Sequence, residues 1–146
     1  MERSPAVILT AITGGLIALQ APINALLGKS IGTFQAAFVS FLIGTIALCG
    51  IAVFTGGLGS VGEIRTVPWH YLLGGLLGAA YVTSVLVTVA TLGAGGVTAA
   101  TISGQLLVSV LVDQFGWLGV EKDPIDPTKI AGLALLAAGT FLIVRD

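Results

Sequence analysis

The chain has 146 residues, 55% of them hydrophobic and only 9% charged, with a mean hydropathy of +1.06 and a formal net charge of −1 at pH 7. A soluble domain carries about 25% charged residues, so this surface is not built for water, and the absence of a Lys/Arg cluster excludes the electrostatic footprint of a nucleic-acid binder. Each crossing of a hydrocarbon core about 30 Å thick needs roughly 20 apolar residues; the length therefore holds about five spans and no separate soluble domain.

The first apolar run extends from about Pro5 to Leu27. It is too long for a secretory signal core, it contains Gln20 and Asn24, and similar runs follow it, so it is read as a mature helix. Thr10, Thr13, Gln20 and Asn24 fall within an arc of roughly 80° at 100° per residue, with Gln20 and Asn24 one turn apart. Pro22 between them removes a backbone donor, which predicts a kink, and a break flanked by two amides resembles the discontinuous helices that hold substrate in transporters. The break after this helix is Gly28-Lys29-Ser30-Ile31-Gly32.

The second span covers residues 34–54 and carries Gln35 and Ser40, which point in different directions, and Cys49. A single cysteine forms no intrachain disulfide, so it reads as a small packed hydrophobe. A glycine-rich stretch, Thr55 to Thr66, leads to the third span at 68–91, where Tyr81, Ser84, Thr88 and Thr91 share one arc. Trp69, His70 and Tyr71 at its start suit the headgroup level. After Gly93-Ala94-Gly95-Gly96 the fourth span covers 97–115, with Thr98, Thr101, Gln105 and Ser109 on one arc, and Asp113 near its end reads as an interfacial residue. Gly116 to Asp126 forms the last break and the fifth span covers 127–144, where Thr140 is the one polar side chain beyond the first turn. Polar stripes on the first, third and fourth helices predict a shared polar interior, with the fifth packing against lipid or another subunit.

Ser4-Pro5, Thr66-Val67-Pro68 and Asp126-Pro127 place a capping side chain at or just before a proline suited to a first turn, so all three odd-numbered helices start on one membrane face. That face holds Arg3, Arg65, Lys122 and Lys129, and the other holds Lys29 and Arg145. The four-to-two split favours a cytoplasmic amino terminus only modestly. With an odd number of spans, insertion in both orientations would give an antiparallel pair with ten helices related as inverted repeats. Gly74 with Gly78, and Gly132 with Gly139, supply small-residue faces for close helix contact.

Hydroxyls in membrane helices commonly bond the carbonyl one turn back, and the Thr and Ser positions lean towards that role. Gln20, Asn24 and Gln105 differ, because a primary amide has two donors and two acceptor lone pairs that its own helix cannot satisfy. Their partners are either one another or a polar solute, and the residues alone leave both open. No Asp, Glu, Lys, Arg or His stands in the middle of a span, so the simplest proton-coupling carboxylate is missing. No metal-ligand spacing, nucleophile constellation or phosphate loop occurs, so neither an enzyme nor a cofactor is expected.

The stretches Leu19-Gln20-Ala21-Pro22-Ile23-Asn24-Ala25, Leu27-Gly28, Ser40-Phe41-Leu42-Ile43-Gly44-Thr45, Gly74-Gly75-Leu76-Leu77-Gly78-Ala79, Gly104-Gln105-Leu106 and Asp113-Gln114-Phe115-Gly116 resemble the YdcZ-like branch of the drug/metabolite transporter superfamily over nearly the whole chain. The resemblance implies an all-α bundle of five transmembrane helices in a bacterial inner membrane, equivalent to half of a ten-helix inverted-repeat architecture. It implies work as an antiparallel homodimer or paired with a homologous half, with a small-molecule solute and the lipid bilayer as partners. By the same resemblance Gln20, Asn24 and Gln105 face a central cavity; the polar arcs put Thr13, Tyr81, Ser84, Thr101 and Ser109 beside them as candidate solute contacts, and the expected kink makes Pro22 a hinge. Gln114 stands where many relatives are expected to carry histidine, and the first-helix glutamate of the small multidrug branch is absent. The expectation is export of a small polar metabolite by alternating access; a non-transporting membrane subunit and a lipid flippase are the alternatives.

Overall fold

A computed structural model describes residues 3–145. It is all-helical apart from turns and short loops, and it divides into two compact units between Ala90 and Thr91.

The first unit begins with helix α1 (Arg3–Ile31) and helix α2 (Thr33–Phe54). Only Gly32 separates them. Its φ of 98° lies where L side chains are strained, while its N–H donates to the Gly28 carbonyl at 2.8 Å and its carbonyl accepts from Ala36 N–H at 2.9 Å. The chain therefore passes from one helix to the next with its backbone groups still paired. Ala36, 0% exposed, and Ala37 on α2 pack against Val82 and Leu86 of the next helix, and Ala25, Leu27 and Tyr81 border the cluster. Small residues at this contact let the backbones approach closely. Gly78 serves similarly, since a Cβ there would lie 3.5 Å from the Phe41 ring.

Between α2 and the next helix the chain forms two 3-10 segments, Gly57–Thr66 and Trp69–Leu72. Thr66 does not cap the third span as expected. Its hydroxyl donates back to the Glu63 carbonyl at 2.7 Å, because the 3-10 turn it ends offers a nearer acceptor than the helix beyond Pro68. Trp69 and Tyr71 are exposed and flank His70 edge-on.

Helix α3 (Leu73–Phe115) has 43 residues, about 65 Å of helix at 1.5 Å per residue and roughly twice one hydrocarbon crossing. It is broken at Gly93, with φ 67° and ψ 169°, into two segments of about one crossing each. The expected four-residue break over Gly93 to Gly96 is thus confined to Gly93, and Ala94, Gly95 and Gly96 are helical. Among the described residues four helical runs are long and apolar enough to cross a membrane, and the run from Trp69 to Phe115 supplies two crossings. The protein is an all-α membrane protein with five spans.

In the second unit a turn, Trp117–Gly119, and an extended loop lead to helix α4 (Pro127–Val144). Asp126 caps α4, accepting from Lys129 N–H at 2.7 Å, with Pro127 in the first turn. Asp123 N–H donates to the Asp113 carbonyl at 2.9 Å, and Lys129 Nζ pairs with the Asp123 carboxylate at 2.7 Å. The last helix does not leave its polar residue to lipid. Thr140 donates to the Ala99 carbonyl at 3.1 Å and lies 2.6 Å from Ser103 Oγ. A threonine hydroxyl has one proton; with that proton on Ala99, Ser103 is the donor to Thr140. Thr140→Val removes both interhelical bonds, each worth about 0.6 kcal/mol in a membrane bundle, and is expected to lower the unfolding free energy in detergent by about 1 kcal/mol.

Candidate functional site

The amide pair of α1 is split between two environments. Asn24 is 6% exposed and is the one buried polar residue among the described residues, where no enclosed side-chain polar atom is left without a partner. Gln20, one turn earlier, is exposed. It borders two concavities of the first unit. One is a notch of about 210 Å3 shared with Ser40, Phe41, Gly44, Thr45 and Leu48 of α2. The other is a shallow depression of about 450 Å3 along α1, where Gln20 is joined by Thr13.

Pro22 lies inside the helix. Residues Arg3–Ile31 form one α-helix through it, so helical hydrogen bonding resumes on both sides of the expected kink. A proline lacks the N–H that would pair with the carbonyl four residues back, so what it changes is the Ala18 carbonyl, deprived of its helical donor. In a membrane span the flanking hydrogen bonds are costly to give up, and they hold the helix together on both sides.

Most threonine and serine hydroxyls of the helices in the first unit turn to their own helix, with Ser40 among the exceptions. Thr13 donates to the Leu9 carbonyl at 2.9 Å, Thr45 to Phe41 at 2.8 Å, and Ser84 to Ala80 at 2.8 Å. Each spends its proton there and keeps oxygen lone pairs as acceptors. Tyr81 is half-buried against Ala36, Ala37, Val82 and Leu86. The structure thus brings Thr13 and Gln20 together, places Asn24 in the protein interior, and gives Tyr81 a packing position.

In the second unit Gln105 and Ser109 are exposed and Thr101 is half-buried, all beyond the Gly93 break. Gln114, at the position where a histidine is expected in many relatives, accepts through Oε1 from Ile125 N–H and so fastens the loop before α4. Neither this role nor the Ser103–Thr140 pair carries a signal in the sequence. Ser40 and Thr45 carry none either, since five residues on one helix stand about 140° apart and form no stripe. They share a notch because Gln20 of α1 completes it. No charged side chain lies within α2, and α1 carries only Arg3 and Lys29 near its ends. The recognition chemistry available here is hydrogen bonding in a medium of low dielectric constant.

Comparison with known proteins follows the same lines. The profile of the family described as "Putative inner membrane exporter, YdcZ" matches residues 5–142. The inner membrane protein YdcZ of Escherichia coli strain K12 is 29% identical over 111 residues, covering 75% of this chain and 74% of that protein. No solved structure matches the chain.

Proposed function

The chain belongs to the YdcZ family of inner-membrane proteins, a multi-pass membrane transporter by that membership, and from this premise we propose that it exports a small polar metabolite by alternating access as an antiparallel dimer. The observation that carries the proposal is the pair Gln20 and Asn24, one turn apart in a membrane helix, of which Asn24 is withdrawn to 6% exposure while Gln20 borders open concavities. An amide in hydrocarbon must find partners. Gln20 has space for a guest beside it, and Asn24 stands one turn along the same helix.

In this scheme Gln20 and Asn24 hold the solute by hydrogen bonds, and Gln105 of the fourth span is a further solute contact. Thr13, Ser84, Thr101 and Ser109 contribute oxygen acceptors, and Tyr81 supports the wall. Pro22 serves as the hinge: with the Ala18 carbonyl already lacking its donor, bending α1 there forfeits one hydrogen bond fewer than bending elsewhere. Five spans make half of an inverted-repeat transporter, and the four-to-two Lys/Arg distribution suits chains inserted in both orientations.

Replacing both Gln20 and Gln105 by leucine is expected to cut export by about tenfold or more, since two interhelical or solute-directed amide bonds of about 1 kcal/mol each are lost. Export is read in cells that express equal amounts of folded protein. Unchanged export by a folded double variant contradicts the assignment. The enclosure of Asn24 favours one other function, a membrane subunit whose amides bind helices together. A chain that purifies only with a different membrane protein, and shows no solute-dependent stability alone, decides for that function.

A further inference from the structure

We propose that the notch between α1 and α2, walled by Gln20, Ser40, Phe41, Gly44, Thr45 and Leu48, is a solute subsite selective for uncharged, hydroxyl- or amide-bearing molecules. The inference rests on the transport function proposed above and names the class of substrate for it. Its volume of about 210 Å3 equals roughly seven water molecules at 30 Å3 each, room for one small solute or part of a larger one.

The chemistry of the walls sets the class. The Gln20 amide offers two donors and a carbonyl oxygen, and the Ser40 hydroxyl offers one donor and one oxygen. Thr45 has committed its proton to the Phe41 carbonyl at 2.8 Å, so towards the notch it presents acceptor lone pairs only. A guest that both gives and takes hydrogen bonds matches this set. The Phe41 ring and Leu48 cover its carbon face, and Gly44 leaves the floor open, with no atom within 4 Å of where a Cβ would stand. A charged guest finds no counter-charge. α2 has no charged residue, and the nearest on α1, Lys29, is nine positions from Gln20, about 13 Å along the axis. Moving an unpaired ion into such surroundings carries a desolvation cost that neutral hydrogen-bonding groups do not offset.

The test is thiol accessibility in the purified full-length chain. Cys49→Ala removes the native cysteine, and Ser40→Cys or Ile43→Cys is then added; Ile43 is 62% exposed on the same helix and lines no part of the notch. Thiols react as thiolates, which form in polar surroundings and not in hydrocarbon, so the neutral reagent hydroxyethyl methanethiosulfonate is expected to label Ser40→Cys about tenfold faster than Ile43→Cys. Its sulfonate and trimethylammonium counterparts are expected to lag at Ser40→Cys by a similar factor. Gly44→Leu, and separately Thr45→Leu, fill the notch and should slow the neutral reagent in proteins that still elute as a single folded species. Equal labelling at positions 40 and 43 overturns the notch as a water-reached site. Equal rates for charged and neutral reagents overturn the selectivity. Undiminished labelling in both filled variants overturns the location. Export by the Gln20→Leu/Gln105→Leu variant is measured independently, so the notch and the transport function stand or fall on separate results.

Discussion

Gly93→Val is expected to destabilise the protein by about 1–3 kcal/mol, the range for a side chain forced into backbone geometry that only glycine adopts readily. The residue sits at φ 67° and ψ 169°, and a Cβ placed there meets no atom within 4 Å. The cost is therefore torsional, with no contribution from crowding, and β-branched valine bears it fully. Gly95, two residues on, is helical and equally open. Gly95→Ala removes backbone freedom from the unfolded chain and is expected to be neutral or to stabilise by up to about 1 kcal/mol. Unfolding midpoints of the two variants in the same detergent separate a strained break from a merely glycine-rich one. Equal effects at both positions contradict the break.

Ala36→Leu is the second substitution with a large expected effect. Ala36 is 0% exposed at the contact with Val82 and Leu86, while Phe38, two residues along α2, is 67% exposed. Adding three carbons to the enclosed site forces side chains off their rotamers or separates the helices, at about 1–3 kcal/mol. Phe38→Leu changes a surface that lipid covers and is expected to alter stability by less than about 0.5 kcal/mol. The two variants are compared by thermal unfolding in detergent, with monodisperse elution as the check on folding. The contrast matters for function because the Ala36 contact holds α2 against Val82 and Leu86 of α3, with Ala25 and Leu27 of α1 bordering it, and α1 and α2 carry Gln20 and the groups that face it.

The spans were legible in the sequence because burial in lipid demands long apolar runs, a signal that needs no knowledge of partners. Their interruptions were less so. Three glycines within four residues read as a loop, yet only Gly93 leaves helical geometry, since glycine adopts helical and left-handed geometry alike and its identity does not say which of the three turns the chain. Pro22 reads as a kink. Its local cost is visible in sequence, while the hydrogen bonds on either side that keep Arg3–Ile31 continuous are a property of the whole helix. The cap at Asp126 was legible because it depends on residues three apart.

Pairings between helices were hidden. Ser103 lies off the arc of Thr98, Thr101, Gln105 and Ser109, and nothing in its own helix announces that it meets Thr140 at 2.6 Å. Ser40 and Thr45 look unrelated on α2 until Gln20 is placed opposite them. Gln114 looks like the loss of a functional histidine, and in the fold it is a loop fastener. In each case periodicity fixes the direction of a side chain about its own axis, but the neighbour it meets follows from how two helices pack.

The central claim is that the amides of this bundle serve a guest molecule and not only each other. It is tested most directly by the thermal stability of the purified chain across a panel of small solutes, measured in parallel for the unmodified protein and Gln20→Leu. A ligand that binds only the folded state must raise its stability. At least one uncharged polar solute is expected to raise the unfolding temperature of the unmodified protein and to leave that of the folded variant unmoved. A panel in which every solute shifts both proteins equally, or neither, contradicts it.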